Sequence, residues 1–193
     1  MKAWLFAALL AVVPGIAHGA DFAGKVVRII DGDTLEVLHD RSPVRVRLEG
    51  IDCPEKAQPF GTKARQFAAE LAFNELVTVK DHGKDRYGRT LGEVVLPDGR
   101  SLNQELVRAG FAWWYRRYSK DKTLEALEAA ARAEKRGLWA DPHAVAPWDW
   151  RRGKRPQTGL ESLGSQWLGE EEVGTGRSPH PGLGLLSRAA ALN

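Results

Sequence analysis

Three short segments of the chain combine carboxylates with arginines: Asp31-Gly32-Asp33-Thr34, then Arg47-Leu48-Glu49-Gly50-Ile51-Asp52-Cys53-Pro54-Glu55, then Asp85-Arg86-Tyr87-Gly88-Arg89. Each alone has a bland reading. Asp-Gly-Asp between strands is a turn, Asp52 and Glu55 around Pro54 can cap the next segment of chain, and Arg86–Arg89 can be a solvated turn. Together they supply the groups that cleaving a phosphodiester requires. The reaction builds negative charge on the equatorial phosphate oxygens, and guanidinium forks meet that charge with paired N–H donors, as lysine does not. A hard divalent cation held by aspartate oxygens polarises the phosphate and positions water. A further carboxylate takes the proton of that water. By type and spacing, Asp33 and Asp52 are candidate metal ligands, Arg47 and Arg89 candidate charge stabilisers, and Glu55 the candidate base.

These segments need elements that bring them together. Gly24–Ile30 and Thr34–Leu38 are rich in β-branched residues, with Asp31-Gly32-Asp33 as the turn between two strands. Val44, Val46 and Leu48 alternate with Arg45, Arg47 and Glu49, the period of a third strand, which Pro43 opens after an Asp40-Arg41-Ser42 turn. Such consecutive strands form an antiparallel meander, whose strand ends lie close. Phe60, Ala64, Phe67, Ala68 and Leu71 predict a helix over Thr62–Phe73. Two more strands are predicted near Leu76–Asp81 and Arg89–Leu96, with Pro97-Asp98-Gly99 as the closing turn. Ser101-Leu102-Asn103-Gln104 has the pattern of a capping box opening a short helix that stops at Gly110. A third helix over Lys122–Arg136 ends at Gly137. The expected fold is α+β, mainly β: a five-stranded Greek-key barrel of the oligonucleotide-binding type with three helices.

The chain has 193 residues, enough for one domain with extensions. Met1–Ala20 has the order of a signal peptide: Lys2, an apolar run from Ala3 to Val13, Pro14-Gly15, then small residues. The run is shorter than the roughly 20 residues of a membrane-spanning helix, though an uncleaved anchor is the alternative. Export predicts a secreted or periplasmic protein with no stable membrane association after cleavage, acting as a monomer. The domain is expected over residues 21–150, and the Gly/Ser/Pro-rich stretch 151–193 as a disordered tail. The net charge of +3 is weak evidence for a polyanionic partner. The single cysteine, Cys53, excludes an internal disulfide, and the scattered histidines argue against zinc.

The run Asp31-Gly32-Asp33-Thr34-Leu35-Glu36-Val37, then nine residues, then Arg47 through Glu55, resembles the first signature of the staphylococcal nuclease (thermonuclease) family. Asp85-Arg86-Tyr87-Gly88-Arg89 resembles the second, and the likeness spans about Gly24 to Trp139. The resemblance implies a metal-dependent endonuclease, a phosphodiester hydrolase that uses calcium on DNA and RNA and leaves 3′-phosphate ends. It carries catalysis onto Arg47, Glu55 and Arg89, and calcium onto Asp33, Asp52 and the backbone carbonyl of Cys53, where the family commonly has threonine. Calcium would ignore the soft thiol. Tyr87 and Tyr118 resemble tyrosines that contact nucleotide. The loop from Glu55 to the first helix is several residues shorter than in the best-known member. Trp113-Trp114-Tyr115-Arg116-Arg117-Tyr118 offers either stacking faces for the unpaired bases of a single-stranded partner or aromatic packing. The alternative to an enzyme is a non-catalytic barrel module that binds nucleic acid or protein.

Overall fold

In β3 (Ser42–Leu48) the alternation read from the sequence sorts the two faces: Val46 and Leu48 are buried, Arg45 is exposed and Arg47 is half-buried. The computed structural model describes residues 19–156; most of the expected signal segment, up to residue 18, and most of the expected tail, from residue 157, lie outside the described residues. β1 (Phe22–Asp31), β2 (Thr34–His39) and β3 form the expected antiparallel meander, with Thr34 opposite Arg47. A register shift between Val26 and Arg28 lets Val26 and Ile29, three residues apart, both reach the core. The two-residue strand β4 (Ile51–Asp52) is next, then α1 (Gly61–Ala72), β5 (Leu76–Lys84) and β6 (Thr90–Val95).

The barrel closes in the order β1-β2-β3-β6-β5. β1 pairs antiparallel with β5, whereas β6 lies parallel to β3, with Val46 opposite Thr90 and Arg47 opposite Leu91. The crossover through α1 delivers β5 to the free edge of β1, and the antiparallel β5–β6 pair then brings β6 beside β3 running in the same direction. This parallel seam sets the Asp85–Arg89 turn, just before β6, beside the strand that carries Arg47. The result is the α+β five-stranded barrel with helices read from the sequence.

The buried polar residue Asn103 joins α2 (Leu102–Arg108) to the barrel. Its side-chain oxygen accepts from Val94 N at 3.1 Å, and its amide donates to the carbonyls of Glu49 at 3.0 Å and Gly92 at 3.2 Å. The expected capping box is not formed. Ser101 stands at the N-cap but makes no side-chain cap bond, because its backbone is tied in a bridge to Val95 and its hydroxyl is buried. A side-chain cap does appear on α3 (Lys122–Ala133), where Asp121 accepts from Thr123 N at 2.7 Å.

β7 (Trp113–Trp114) precedes α3 and pairs with β4, placing Trp113 opposite Asp52. After α3 come a 3-10 turn at Gly137–Ala140 and α4 (Pro147–Trp150). A second apolar cluster of Trp113, Ala131, Leu138, Trp139 and Ala146 seats this segment, with Phe60 and Trp148 against it. The packing reading of Trp113 therefore holds. Among the described residues no helix is long and apolar enough to cross a membrane.

Replacing Asn103 by Ala removes the bonds to the Val94 N–H and the Glu49 carbonyl, while the Gly92 carbonyl still accepts from Glu49 N at 2.9 Å, so urea unfolding should show a loss of about 2–4 kcal/mol. A loss under about 1 kcal/mol would mean that water replaces the amide.

Candidate active site

The β1–β2 turn and β4 meet at one end of the barrel. The Asp33 carbonyl accepts from Leu48 N at 2.8 Å, and its Oδ2 accepts from Cys53 N at 2.8 Å. The Thr34 hydroxyl donates to Asp33 Oδ1 at 3.1 Å. The turn is thus pinned on both sides by the segment that bears Asp52. Between the two aspartates lies Arg47, whose Nη1 pairs with Asp33 Oδ2 and whose Nη2 donates to Asp52 Oδ1 at 2.9 Å. The side chains of Asp52 and Arg47 are 1% and 14% exposed, so this is a buried charge cluster. Burial draws the Arg47 guanidinium pKa down, but Asp33 and Asp52 outweigh it and the net direction is up.

Burial also pushes the Asp52 carboxyl upward, against the opposing pull of Arg151 and Arg47. Asp31 is raised as well, first by burial and then by the charges of Asp33 and Glu55. The buried thiol of Cys53 is raised far above its usual value by burial and by Asp33, so it stays protonated. Of the residues read from the sequence, Asp33, Arg47, Asp52, Cys53 and Glu55 meet here.

One member of the site escapes a reading of the sequence. Arg151 lies just after α4 in a stretch that the sequence assigns to the tail, and its Nη2 reaches Asp52 Oδ2 at 2.6 Å while its Nη1 reaches Glu55 Oε1 at 2.6 Å. The only local signal is its place after Trp148-Asp149-Trp150, a pair of aromatic anchors. The Glu55 loop is folded tightly: Gln58 accepts from Glu55 N at 3.1 Å and donates to the Val145 carbonyl at 2.6 Å. A Cβ on Gly61 would lie 1.9 Å from the Glu55 carbonyl oxygen, so this close approach needs glycine.

Arg89 is engaged elsewhere. Its Nε donates to Asp85 Oδ2 at 2.7 Å, and Asp85 Oδ1 accepts from the backbone of Tyr87 at 2.8 Å and Arg89 at 3.0 Å. Burial acts upward on the Asp85 carboxyl, but these bonds to Arg89 and the turn backbone hold it below the usual range. Tyr87 is exposed, with the guanidiniums of Arg86 and Arg89 at 4.7 and 5.4 Å from its ring. Tyr118 is exposed too, but it lines a separate open cavity of about 520 Å³ with Glu49, Lys80, His82 and Lys120, which none of the site's carboxylates enters.

The donor chemistry fits a hard divalent cation. Asp31, Asp33, Asp52 and Glu55 set four carboxylates against the two guanidiniums of Arg47 and Arg151, a formal excess of two negative charges; Arg65 adds only the weakest of the influences on Asp31. Among the described residues no three His, Cys, Asp or Glu side chains converge as ligands, so Asp33 and Asp52 would need backbone and water oxygens beside them.

A closed five-stranded barrel with buried aspartates and an arginine at one end defines a class of phosphate-handling domain. The family described as staphylococcal nuclease homologue matches residues 45–141. An uncharacterized endonuclease of Escherichia coli O157:H7 is 49% identical over 135 residues, covering 70% of this chain and 88% of that protein. A micrococcal nuclease of Shigella flexneri is 44% identical over 162 residues, covering 79% and 93%. An uncharacterized endonuclease of Haemophilus influenzae is 41% identical over 132 residues, covering 68% and 74%. The chain belongs to the staphylococcal nuclease family.

The two loops can be probed separately. Gly61→Ala should cost about 1–3 kcal/mol through overpacking and shift the backbone resonances of Glu55–Gln58; unchanged resonances there would show that the loop yields freely. Because the Asp85 carboxyl is lowered on folding, its bonds contribute fully above the ordinary aspartate value of about 3.9 and are lost as pH falls below it. The amide resonances of Tyr87 and Arg89 should hold steady down to about pH 4 and move only below that. Movement between pH 5 and 7 would contradict this.

Proposed function

We propose that the chain is a calcium-dependent endonuclease that hydrolyses phosphodiester bonds in unpaired DNA and RNA, leaves 3′-phosphate ends and works after export. The observation that carries the reading is a buried guanidinium fork held between two aspartates, with a third carboxylate at the rim. Family membership supports nuclease chemistry. The export part rests on the signal-like residues 1–20, most of which lie outside the described residues.

The roles derive from accessibility. Asp33 and Asp52, fixed by Cys53 N–H and by β4, would hold the cation, which when bound polarises the phosphate. Glu55, 41% exposed, is the carboxylate that water can reach, and it takes the proton of the attacking water. Arg47 offers a planar fork that serves carboxylate or phosphate oxygens equally well. Arg89 meets the phosphate from the neighbouring turn, where Asp85 pre-orients its guanidinium. Cleavage of the bond to the 5′ oxygen leaves the phosphate on the 3′ side.

The test is cleavage of single-stranded DNA and of RNA in calcium and then in chelator. Cleavage should stop with the chelator, and Arg47→Lys, which keeps a cation between the aspartates but loses the fork, should lower kcat by about 10²–10³-fold. Glu55→Gln should cost about 10²–10⁴-fold. No cleavage by the parent chain would leave a binding module instead, and full activity in Arg47→Lys would take the Arg47 fork out of the catalytic set.

A further inference from the structure

The family match ends at residue 141, yet one of the two guanidiniums on Asp52 comes from residue 151. It arrives on a firmly seated strap. Trp148 stacks on Tyr115 at 5.2 Å with an interplanar angle of 2°, and meets Trp113 edge-on at 5.6 Å. The Gln58 amide ties the strap to the Glu55 loop through the Val145 carbonyl. The backbone at residue 151 is therefore fixed, and only its side chain has freedom.

Both oxygens of Asp52 are taken, Oδ1 by Arg47 and Oδ2 by Arg151. The two arginines differ in how easily they can leave. Arg47 is 14% exposed and is also paired to Asp33, so its departure would leave a buried charge without a partner or a route to water. Arg151 is 42% exposed and its second partner, Glu55, is nearly as open, so its guanidinium can turn into solvent, and the buried Asp52 that it leaves keeps Arg47 as a partner. The carboxylates that it covers are those assigned to the metal and to the base.

We propose that Arg151 is the exchangeable cation of this site: it occupies Asp52 and Glu55 while no divalent cation is bound, and yields them when one binds. The inference rests on the metal-dependent reading of the site. It explains why a segment outside the family match is packed so closely against the loop of Glu55. Without Arg151 the four carboxylates of the site would be balanced by the single guanidinium of Arg47, which touches only Asp33 and Asp52. With it, the excess charge is moderated until the metal arrives. The strap holds the displaced guanidinium at the rim.

Thermal unfolding of the purified chain, monitored against calcium concentration and in chelator, tests this without reference to activity. Arg151→Gln should unfold at a lower temperature than the parent in chelator, yet gain more from calcium, with a half-saturating concentration about tenfold lower. Arg151→Lys, which keeps the charge without the fork, should fall between them. Asp33→Ala should abolish the calcium response, which ties the signal to this site. A calcium midpoint that is equal or higher in Arg151→Gln, with the parent still responding, would reduce Arg151 to an anchor. That result overturns the proposal and leaves the nuclease reading intact. No calcium response in the parent chain, or a full response in Asp33→Ala, overturns the calcium assignment and this proposal together.

Discussion

Arg47 is placed where a charge is expensive, between two aspartates at the closed end of a barrel, and the surrounding structure is arranged to make that tolerable. A buried guanidinium costs several kcal/mol of desolvation, recovered only when carboxylates lie against its donors. Asp33 and Asp52 can be those partners because one short segment fixes both. The backbone of Cys53 holds the Asp33 carboxylate, and β4 carries Asp52 directly before it. The β3 register, with Arg47 opposite Thr34, brings the guanidinium to the same place. Such an arrangement adds little net stability over an apolar core. It provides instead a preset fork with an electrostatic environment that accepts further charge.

The same end of the barrel illustrates how one domain joins a rigid floor to an adjustable rim. Asp33, Arg47 and Asp52 are held by main-chain bonds and strand pairing. Glu55 and Arg151 sit outside them, each about four-tenths exposed, on segments tied to one another by Gln58 and Val145. Arg89 is held by a third device, an aspartate-centred turn that stands next to the floor through the parallel β3–β6 seam.

Much of this is legible from the sequence for local reasons. Strand alternation in β3, helical spacing in α1 and the three charged segments are all short-range patterns, and the barrel emerges from their order. The misses are long-range or geometric. Arg151 lies 99 residues from Asp52, and no periodicity connects them. The parallel seam depends on β5 returning to the edge of β1, which leaves β6 to close on β3. Ser101 has the right neighbours for a capping box, but its backbone is committed to Val95. The resemblance groups Tyr118 with nucleotide-contacting side chains, and the fold sets it beside a cavity apart from the aspartates, a placement that spacing does not give. Spacing singles out Arg89 but does not show that Asp85, four residues before it, orients its guanidinium.

The parallel closure also bears on the order of assembly. The meander of β1, β2 and β3 can form from neighbouring sequence alone, but β3 has no partner on its open edge until β6 arrives. The Arg47–Asp52 pair is therefore present in the chain well before the wall that shelters it. Loop-closure entropy must be met at the β1–β5 and β3–β6 contacts before either returns any burial, which marks these as late, slow steps. The strap comes last of all, since α4 can seat only on Trp113 and Tyr115 once β7 is in place. A chain emerging from its N-terminus thus carries the full set of acidic side chains for most of its synthesis, and gains the guanidinium that covers them only when residue 151 is added.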